Sequence, residues 1–323
     1  MSTIVITGAR GYIGSALVNR FASEGHRLCL VSRSAVASAD VAATGRYVQA
    51  DLCDEADWRA ILRDAEAVIH LSSRTDLRAA EADPTRDHRI NVDPVRALVA
   101  AAERSNPGIP VVFASTVTIV GAIHDNPVSE LTPDNPSSVY DRHKLECETI
   151  LRDATYAGVV RACSLRISNV YGYGTASINA NRGILNNVMR RAAQGESLTI
   201  YGRGDYIRDF IFLGDVVEAF CQAITQERMR NGGHYVIASG RGHTLIEVFD
   251  LVAETEFRRS GRRIEIRHVP EPADLHPIER RNFVGDSRLF QNLAGWRPRV
   301  DVDAGIRDYF AHALSLPAAA VGQ

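Results

Sequence analysis

Tyr140 and Lys144 stand four residues apart in the run Tyr140-Asp141-Arg142-His143-Lys144, which opens an amphipathic stretch reaching to about Tyr156. On a helix, such positions project from the same face. A phenol titrates near pH ~10 and is a poor proton donor or acceptor at neutrality. An ammonium beside it favours the phenolate and brings its pKa toward the working range. Ser115-Thr116 ends a short apolar run 24 residues earlier (140 − 116). In a doubly wound sheet, strand ends are where ligands bind, and a hydroxyl there can orient a carbonyl or an alcohol next to the tyrosine. Thr116, Tyr140 and Lys144 are therefore the expected catalytic residues.

A second motif lies at the start of the chain. Thr7-Gly8-Ala9-Arg10-Gly11-Tyr12-Ile13-Gly14 follows one apolar run and opens an amphipathic segment. Gly8 makes the tight turn, Gly11 lets a pyrophosphate approach the backbone, and Gly14 lets helix and strand pack closely. The helix start adds free N–H groups and a positive dipole end. With a dinucleotide bound there, Lys144 can also reach the nicotinamide ribose. Sites that prefer NAD place an acid at the end of the second strand to hold the ribose 2′-hydroxyl. This chain has Ser32-Arg33-Ser34 instead, 19 residues past the last glycine (33 − 14). Arg33 can pair with a 2′-phosphate and the hydroxyls can hydrogen-bond it, so NADP is expected, with NAD possible.

These residues need a scaffold that brings strand ends together. Thr3–Thr7, Arg27–Ser32, Arg46–Ala50, Ala67–Leu71 and Pro110–Ser115 are short, apolar on both faces, and read as strands of a covered parallel sheet. Between them Ile13–Glu24 (closed by Gly25), Glu55–Asp64 and Val95–Arg104 read as helices. The alternation implies an α/β fold: a doubly wound parallel Rossmann sheet. After Tyr171 the loops lengthen, as in Tyr201-Gly202-Arg203-Gly204-Asp205 and the proline-dotted Val269–Pro272. Residues 1–170, with returning segments near 210–240, are expected to bind the dinucleotide. Residues 171–209 and 241–323 are expected to form a smaller, loop-rich substrate-binding region, ending in a frayed Ala-rich tail, Leu316–Gln323.

Composition excludes several other functions. The chain has 323 residues, enough for about two domains, and needs neither disulfides nor a metal for stability. Its 37 basic and 39 acidic residues leave a net charge of -2, which offers no field to attract nucleic acid or an anionic membrane. Arg258-Arg259-Ser260-Gly261-Arg262-Arg263 is the densest basic cluster and, lacking aromatics, reads as a solvated helix end. Five scattered cysteines show no CxxC or Cys/His spacing, so no metal site is expected. Without a signal peptide or a long apolar run, the expected location is the cytoplasm.

With these motifs in view, the chain resembles the extended short-chain dehydrogenase/reductases of the nucleotide-sugar epimerase/dehydratase superfamily over nearly its whole length. Thr7–Gly14 matches the family's TGxxGxxG, and Thr116, Tyr140 and Lys144 fall on its Ser/Thr–Tyr–Lys triad. The resemblance implies that Asp51-Leu52 contacts adenine, that Val68-Ile69-His70-Leu71 passes beneath the cofactor, and that Asn91 is a structural helix asparagine. Leu165–Gly172 is similar to LRxxNVYG, in which Asn169 would face the substrate. Gly183–Met189, containing Asn187, and Leu198–Gly202, containing Tyr201, resemble segments that wrap a nucleotide. Arg208-Asp209-Phe210-Ile211 with Asp215 resembles RDFxxVxD, whose arginine binds a diphosphate. Arg280-Arg281 upstream of Asp286 would give a second contact, and Ser115 would line the substrate site. A nucleotide-diphosphate sugar as substrate and a homodimer through the Tyr140 helix and its neighbour follow from the same resemblance.

Departures from the family pattern bear on the reaction. Its dehydratases carry Asp-Glu just after the catalytic Ser/Thr, where this chain has Val117 and Thr118, so dehydration is not expected. Its epimerases hold NAD and place an acid at the end of the second strand, where this chain has Arg33. Tyr173 replaces the proline of YGPG, and His143 stands where a small residue is usual, with packing as its expected role. The pattern is most similar to the ketoreductases that finish dTDP-4-keto-6-deoxyhexoses, so NADPH-dependent reduction of a keto sugar is the leading expectation. The alternatives are a nucleotide-sugar epimerase with tightly held NAD and a non-catalytic dinucleotide sensor or scaffold.

Overall fold

The computed structural model describes residues 3–33, 45–122, 127–174, 183–273 and 275–313. Ser34 and the tail from Leu316 fall outside the described residues. Runs that are apolar on both faces must be covered on both sides, and here they build a parallel sheet. β1 (Thr3–Thr7) leads through the glycine turn into α1 (Tyr12–Ser23), followed by β2 (Arg27–Ser32) and β3 (Gly45–Gln49). α2 (Glu55–Leu62), capped by the Asp54 carboxylate on the Ala56 N–H, returns the chain to β4 (Ala67–His70). Three helices come next: α3 (Leu77–Ala82), α4 (Pro84–Asn91) and α5 (Asp93–Ser105). β5 (Ile109–Thr116), α6 (Val139–Tyr156) and β6 (Val160–Ile167) then extend the sheet.

Past residue 168 the chain leaves the sheet and comes back. It forms β7 (Asn169–Tyr171), α7 (Ile184–Ala193), β8 (Leu198–Tyr201), β9 (Ile207–Phe212) and α8 (Leu213–Thr225). β10 (His234–Ile237) then rejoins the large sheet beside β6. β11 (Gly242–Thr244), α9 (Leu245–Ser260), β12 (Ile266–Val269), α10 (Arg288–Ala294) and α11 (Val302–Ala313) complete the described chain.

The seven-stranded sheet runs β10-β6-β5-β4-β1-β2-β3, and its strand pairs are parallel. The winding reverses between β1 and β4, which is the crevice where a doubly wound sheet receives its ligand. Separate apolar clusters cover its two faces, one including Leu17, Phe21 and Phe220, the other Trp58, Leu98 and Leu151. A third cluster joins α7, α9 and α11 to the short sheets β11-β9-β7 and β12-β8.

The sequence reading places the first five strands within about a residue of where they fall, except that β5 is longer and carries Thr116 as its last residue. It assigns no helix to residues 77–91, yet α3 and α4 form there. Both are short, α3 is half alanine and α4 mostly polar, so helical periodicity is faint. The Asp83-Pro84 start signal was available, with the Asp83 carboxylate accepting from Arg86 N–H at 2.9 Å. The basic cluster at 258–263 is a helix end as expected. Gly261 takes the left-handed cap, Arg258 pairs with Glu254, and Arg259 with Glu256.

Candidate active site

The turn from β1 to α1 is built around missing side chains. Gly8 has φ +66°, and a Cβ there would lie 3.0 Å from the backbone of Leu71 and Ser72. A Cβ on Gly14 would come within 2.2 Å of the Gly8 carbonyl, so helix and strand can meet only with glycine at 14. Thr7 pins this turn to the next strand: its hydroxyl lies 3.0 Å from His70 Nδ1 and accepts from the N–H groups of Leu71 and Ser72. The result is a cleft of about 480 Å³ lined by Gly8, Gly11, Tyr12, Ile13 and Gly14 at one end. Ser32, Arg33, Leu52 and Leu71 line its flank, and Ser115, Thr116, Tyr140 and Lys144 its far end. One cleft thus joins the glycine cradle to the three expected catalytic residues, a shape that fits an extended dinucleotide. Asp51 lies next door, in a cavity it shares with Leu52, Arg33, Arg74, Arg86 and Arg89.

At the far end, the Tyr140 phenol does not behave as the sequence reading expects. Burial pushes its pKa up, and the Asp141 carboxylate adds to the rise. Lys144 fails to counter this because its ammonium donates to the Ala114 carbonyl at 2.8 Å and sits 4.5 Å from the Phe113 ring centroid. Its Nζ is 5.7 Å from the Tyr140 ring centroid, and burial lowers its own pKa to about 8. In this geometry the tyrosine is a held proton donor rather than a primed phenolate.

Thr116 belongs to a directed chain of hydroxyls that sequence reasoning missed. Ser138, the N-cap of α6, donates to Asp141 Oδ2 at 2.7 Å, and Thr118 donates to Asp141 Oδ1 at 2.5 Å. With its proton so committed, the Thr118 oxygen receives the proton of Thr116, 2.8 Å away. The Thr116 oxygen also accepts from the Thr118 N–H at 3.2 Å, which leaves it one lone pair for a group in the cleft that it lines. Asp141 next to Tyr140 and Thr118 two residues past Thr116 were visible in the sequence, but their pairing needed the fold.

Ser115 lines the cleft with its proton already committed. Its hydroxyl donates to Glu148, a buried carboxylate that also holds Arg166, whose other partner is Asp134. Neighbouring residues on a strand face opposite sides, so only one of Ser115 and Thr116 can serve the cleft through its side chain.

The other expected substrate residues do converge. Asn169, Asn187, Tyr201, Arg208 and Arg281 line one cavity of about 550 Å³, together with His276 and apolar residues of α7, β8 and α9. Arg208 is buried and donates to the carbonyls of Ile207, Glu279 and Arg281. Asp209 and Asp215 are occupied elsewhere, accepting from Ser239, Gly240 and Gly285 and from Arg299 and Val300. Burial, aided by the neighbouring Arg281 charge, lowers the Arg208 pKa to about 9. Arg281 is also buried; it donates to the Ile278 carbonyl at 2.8 Å and reaches Asn169 Oδ1 at 3.4 Å, while its Nε has no partner. Arg280, by contrast, pairs with Glu271 outside. Tyr173 packs on Tyr309 and His312, so the loop is held by aromatic contacts where a proline is usual. Asn91 ties α4 to the Ser73–Arg74 turn through three hydrogen bonds, as the resemblance implies.

The family model for NAD dependent epimerases/dehydratases matches residues 4–238, more than half of the chain. A UDP-glucose 4-epimerase of Mycolicibacterium smegmatis is 27% identical over 317 residues, covering 94% of this chain and 95% of that protein. A dTDP-L-rhamnose 4-epimerase of Burkholderia thailandensis is 24% identical over 350 residues, covering 94% and 92%. The solved UDP-glucose 4-epimerase of Thermus thermophilus, in complex with NAD, superposes with a TM-score of 0.82 at 25% identity, covering 97% of this chain and 99% of that one. With the glycine cradle, the Thr–Tyr–Lys end of the cleft and the switch-point sheet in place, this chain belongs to the NAD dependent epimerase/dehydratase family, as an enzyme of the extended short-chain dehydrogenase/reductase type.

Proposed function

We propose that the enzyme inverts one hydroxyl-bearing carbon of a nucleotide-diphosphate sugar, removing a hydride and returning it to the opposite face. The observation that carries this reading is the direction of the Thr116 hydroxyl. Its proton points to Thr118, so it offers the cleft an acceptor, which suits a sugar alcohol entering for oxidation. The relatives named above are 4-epimerases, which favours epimerisation over the ketoreductase expected from sequence. Val117 and Thr118 bring no carboxylic acid beside Thr116, which speaks against dehydration.

Bound NAD would supply the hydride acceptor and donor, and a positively charged ring that favours the phenolate. Gly8, Gly11 and Gly14 would hold its pyrophosphate, Leu52 and Leu71 its adenine and flank, and Lys144 its ribose. Tyr140 then takes the sugar proton as the carbon is oxidised and gives it back after the sugar turns over. Thr116 holds the same oxygen throughout, as acceptor for the alcohol and, after rotation, as donor to the ketone. Arg208 and Arg281 are buried, and among the described residues the only ion-pair partner of either is the Glu279 carboxylate, 4.0 Å from Arg208, so they present charge suited to a diphosphate.

The test is incubation with UDP- and dTDP-hexoses, followed by NMR of the anomeric protons and analysis of nucleotide released on denaturation. We expect interconversion of epimers with no net use of NADPH. Stoichiometric NADPH oxidation by a 4-keto sugar nucleotide, without epimerisation, would restore the ketoreductase reading. The homodimer through α6 and α5 belongs to the same proposal, and light scattering at about twice 35.4 kDa is its check.

The family is NAD dependent, yet Arg33 lies exposed at the cleft mouth and β2 ends in Ser32 without an acid. We therefore expect NADP to be accepted alongside NAD. Arg33→Asp should weaken NADP binding roughly tenfold more than NAD binding, the modest size reflecting a solvent-exposed contact. Equal losses for the two, measured by calorimetry, would remove Arg33 from cofactor selection.

A further inference from the structure

Behind the catalytic face of α6 lies a buried carboxylate with no part in the chemistry above. Asp87 on α4 is fully buried. Its Oδ2 lies 2.8 Å from His143 Nδ1 and accepts from Asn91 Nδ2 at 3.0 Å, while Oδ1 has no partner. A buried carboxylate with one orphan oxygen is costly and is kept only where its surroundings hold it firmly. His143 is the residue between Arg142 and Lys144, three positions after Tyr140 on the same helix, and packs edge-on against His88 at 5.2 Å. Asn91 links the carboxylate to the cleft: its Oδ1 accepts from Ser73 Oγ at 2.9 Å and from Arg74 N–H at 2.8 Å. Ser73 lines the cleft with Tyr140 and Lys144.

We propose that Asp87, clamped by His143 and Asn91, is a positioning residue for the reaction, holding the Lys144 ammonium and the Tyr140 phenol from behind α6. Its negative charge favours the ammonium form of Lys144 and the protonated form of Tyr140. The first effect opposes the loss of the lysine's charge that burial promotes. Ser73 adds a local device. Its hydroxyl rests on Asn91 and favours the ionised phenol, and turning to the phenolate costs Asn91 only one of two donors. Among the described residues, the other titratable groups facing Lys144 are His70 on β4 and Glu148 and Cys147 on α6, of which burial keeps the imidazole and the thiol neutral. Beyond His143 stand His88, with Asp93 and Glu146, and Arg96 on Glu146.

The proposal rests on Tyr140 and Lys144 being the reacting pair, and the sequence offers a readout that does not depend on the substrate. Lys144 is the only lysine in the chain. Labelling with ¹³C-lysine therefore gives one side-chain signal, whose midpoint in the full-length protein is expected near 8. Asp87→Asn keeps the shape and the Asn91 contact but removes the charge. It should move the midpoint down by about 0.5–1 pH unit and lower kcat about 3–10-fold at neutral pH, with KM for the sugar nucleotide unchanged. His143→Leu strips the carboxylate of its ring N–H, disfavours its ionised form and should move the midpoint down as well, by less than Asp87→Asn. A folded Asp87→Asn with the lysine midpoint in place, or with KM rather than kcat altered, overturns the proposal. Should Asp87→Asn not fold, a midpoint in His143→Leu that stays or rises overturns it. A wild-type protein inactive on every sugar nucleotide would instead strike the substrate reading, and the lysine titration would still decide on Asp87.

Discussion

Tyr140→Phe should lower kcat by about 10²–10⁴ with little change in fold or in nucleotide affinity. The ring is retained, so the packing around it and the 5.7 Å spacing to the Lys144 ammonium persist. What disappears is the one oxygen able to take and return the sugar proton at the Thr116 end of the cleft. Thr116→Val should cost less, about 10–10², because an orienting hydrogen bond is lost while the proton carrier stays. Initial rates on the epimerised sugar nucleotide, with circular dichroism and calorimetric NAD binding as controls, separate chemistry from folding. Near-wild-type turnover of Tyr140→Phe would withdraw the assignment. Among the described residues His143 is the nearest other candidate, and it is turned to Asp87 instead.

Arg208→Ala should raise KM for the sugar nucleotide by about 10–100-fold, the size of a charge-assisted contact to a diphosphate. NAD affinity should stay nearly constant, since Arg208 lines the second cavity and not the cofactor cleft. Geometry adds a coupling. Arg208 holds the carbonyls of Glu279 and Arg281, so its loss also loosens the turn that carries Arg281. Arg281→Met should therefore raise KM alone, and the double variant should cost less than the product of the two singles. Independent, multiplicative effects would mean that the two arginines do not serve one anion. A fall in NAD affinity or in melting temperature without a KM effect would make Arg208 structural.

Much of the scaffold could be read before any coordinates. Val- and Ile-rich runs with no alternation are uncommon outside covered parallel strands, so β1, β2 and β4 were legible almost to the residue. The glycine turn was legible for a stricter reason, since a Cβ at 14 would collide with the Gly8 carbonyl. α3 and α4 were hidden because helices of six and eight residues are set by caps and tertiary contacts, with little periodic signal. β10 had to wait for the fold, as it lies outside the regular strand–helix alternation and rejoins the sheet beside β6 only after the excursion through β7 to α8.

By itself the sequence determined the class of the molecule: a doubly wound α/β enzyme with a dinucleotide turn, Thr116 at a strand end, and Tyr140 and Lys144 at a helix start. Those features are local, fixed by spacing along one element or one turn, and spacing is what a sequence records. The tertiary structure alone decided how each group is poised. It turned the Lys144 ammonium onto the Ala114 carbonyl, and burial raised the Tyr140 pKa that the i, i+4 spacing had been expected to lower. It committed the Ser115 proton to Glu148, aimed the Thr116 proton at Thr118 through the Asp141 carboxylate, and brought Arg208 and Arg281 to one cavity with the Glu279 carboxylate 4.0 Å from Arg208. Each of these depends on partners in other elements or on desolvation, and the strength and direction of a charge interaction follow from distance and burial in space, which chain order does not encode.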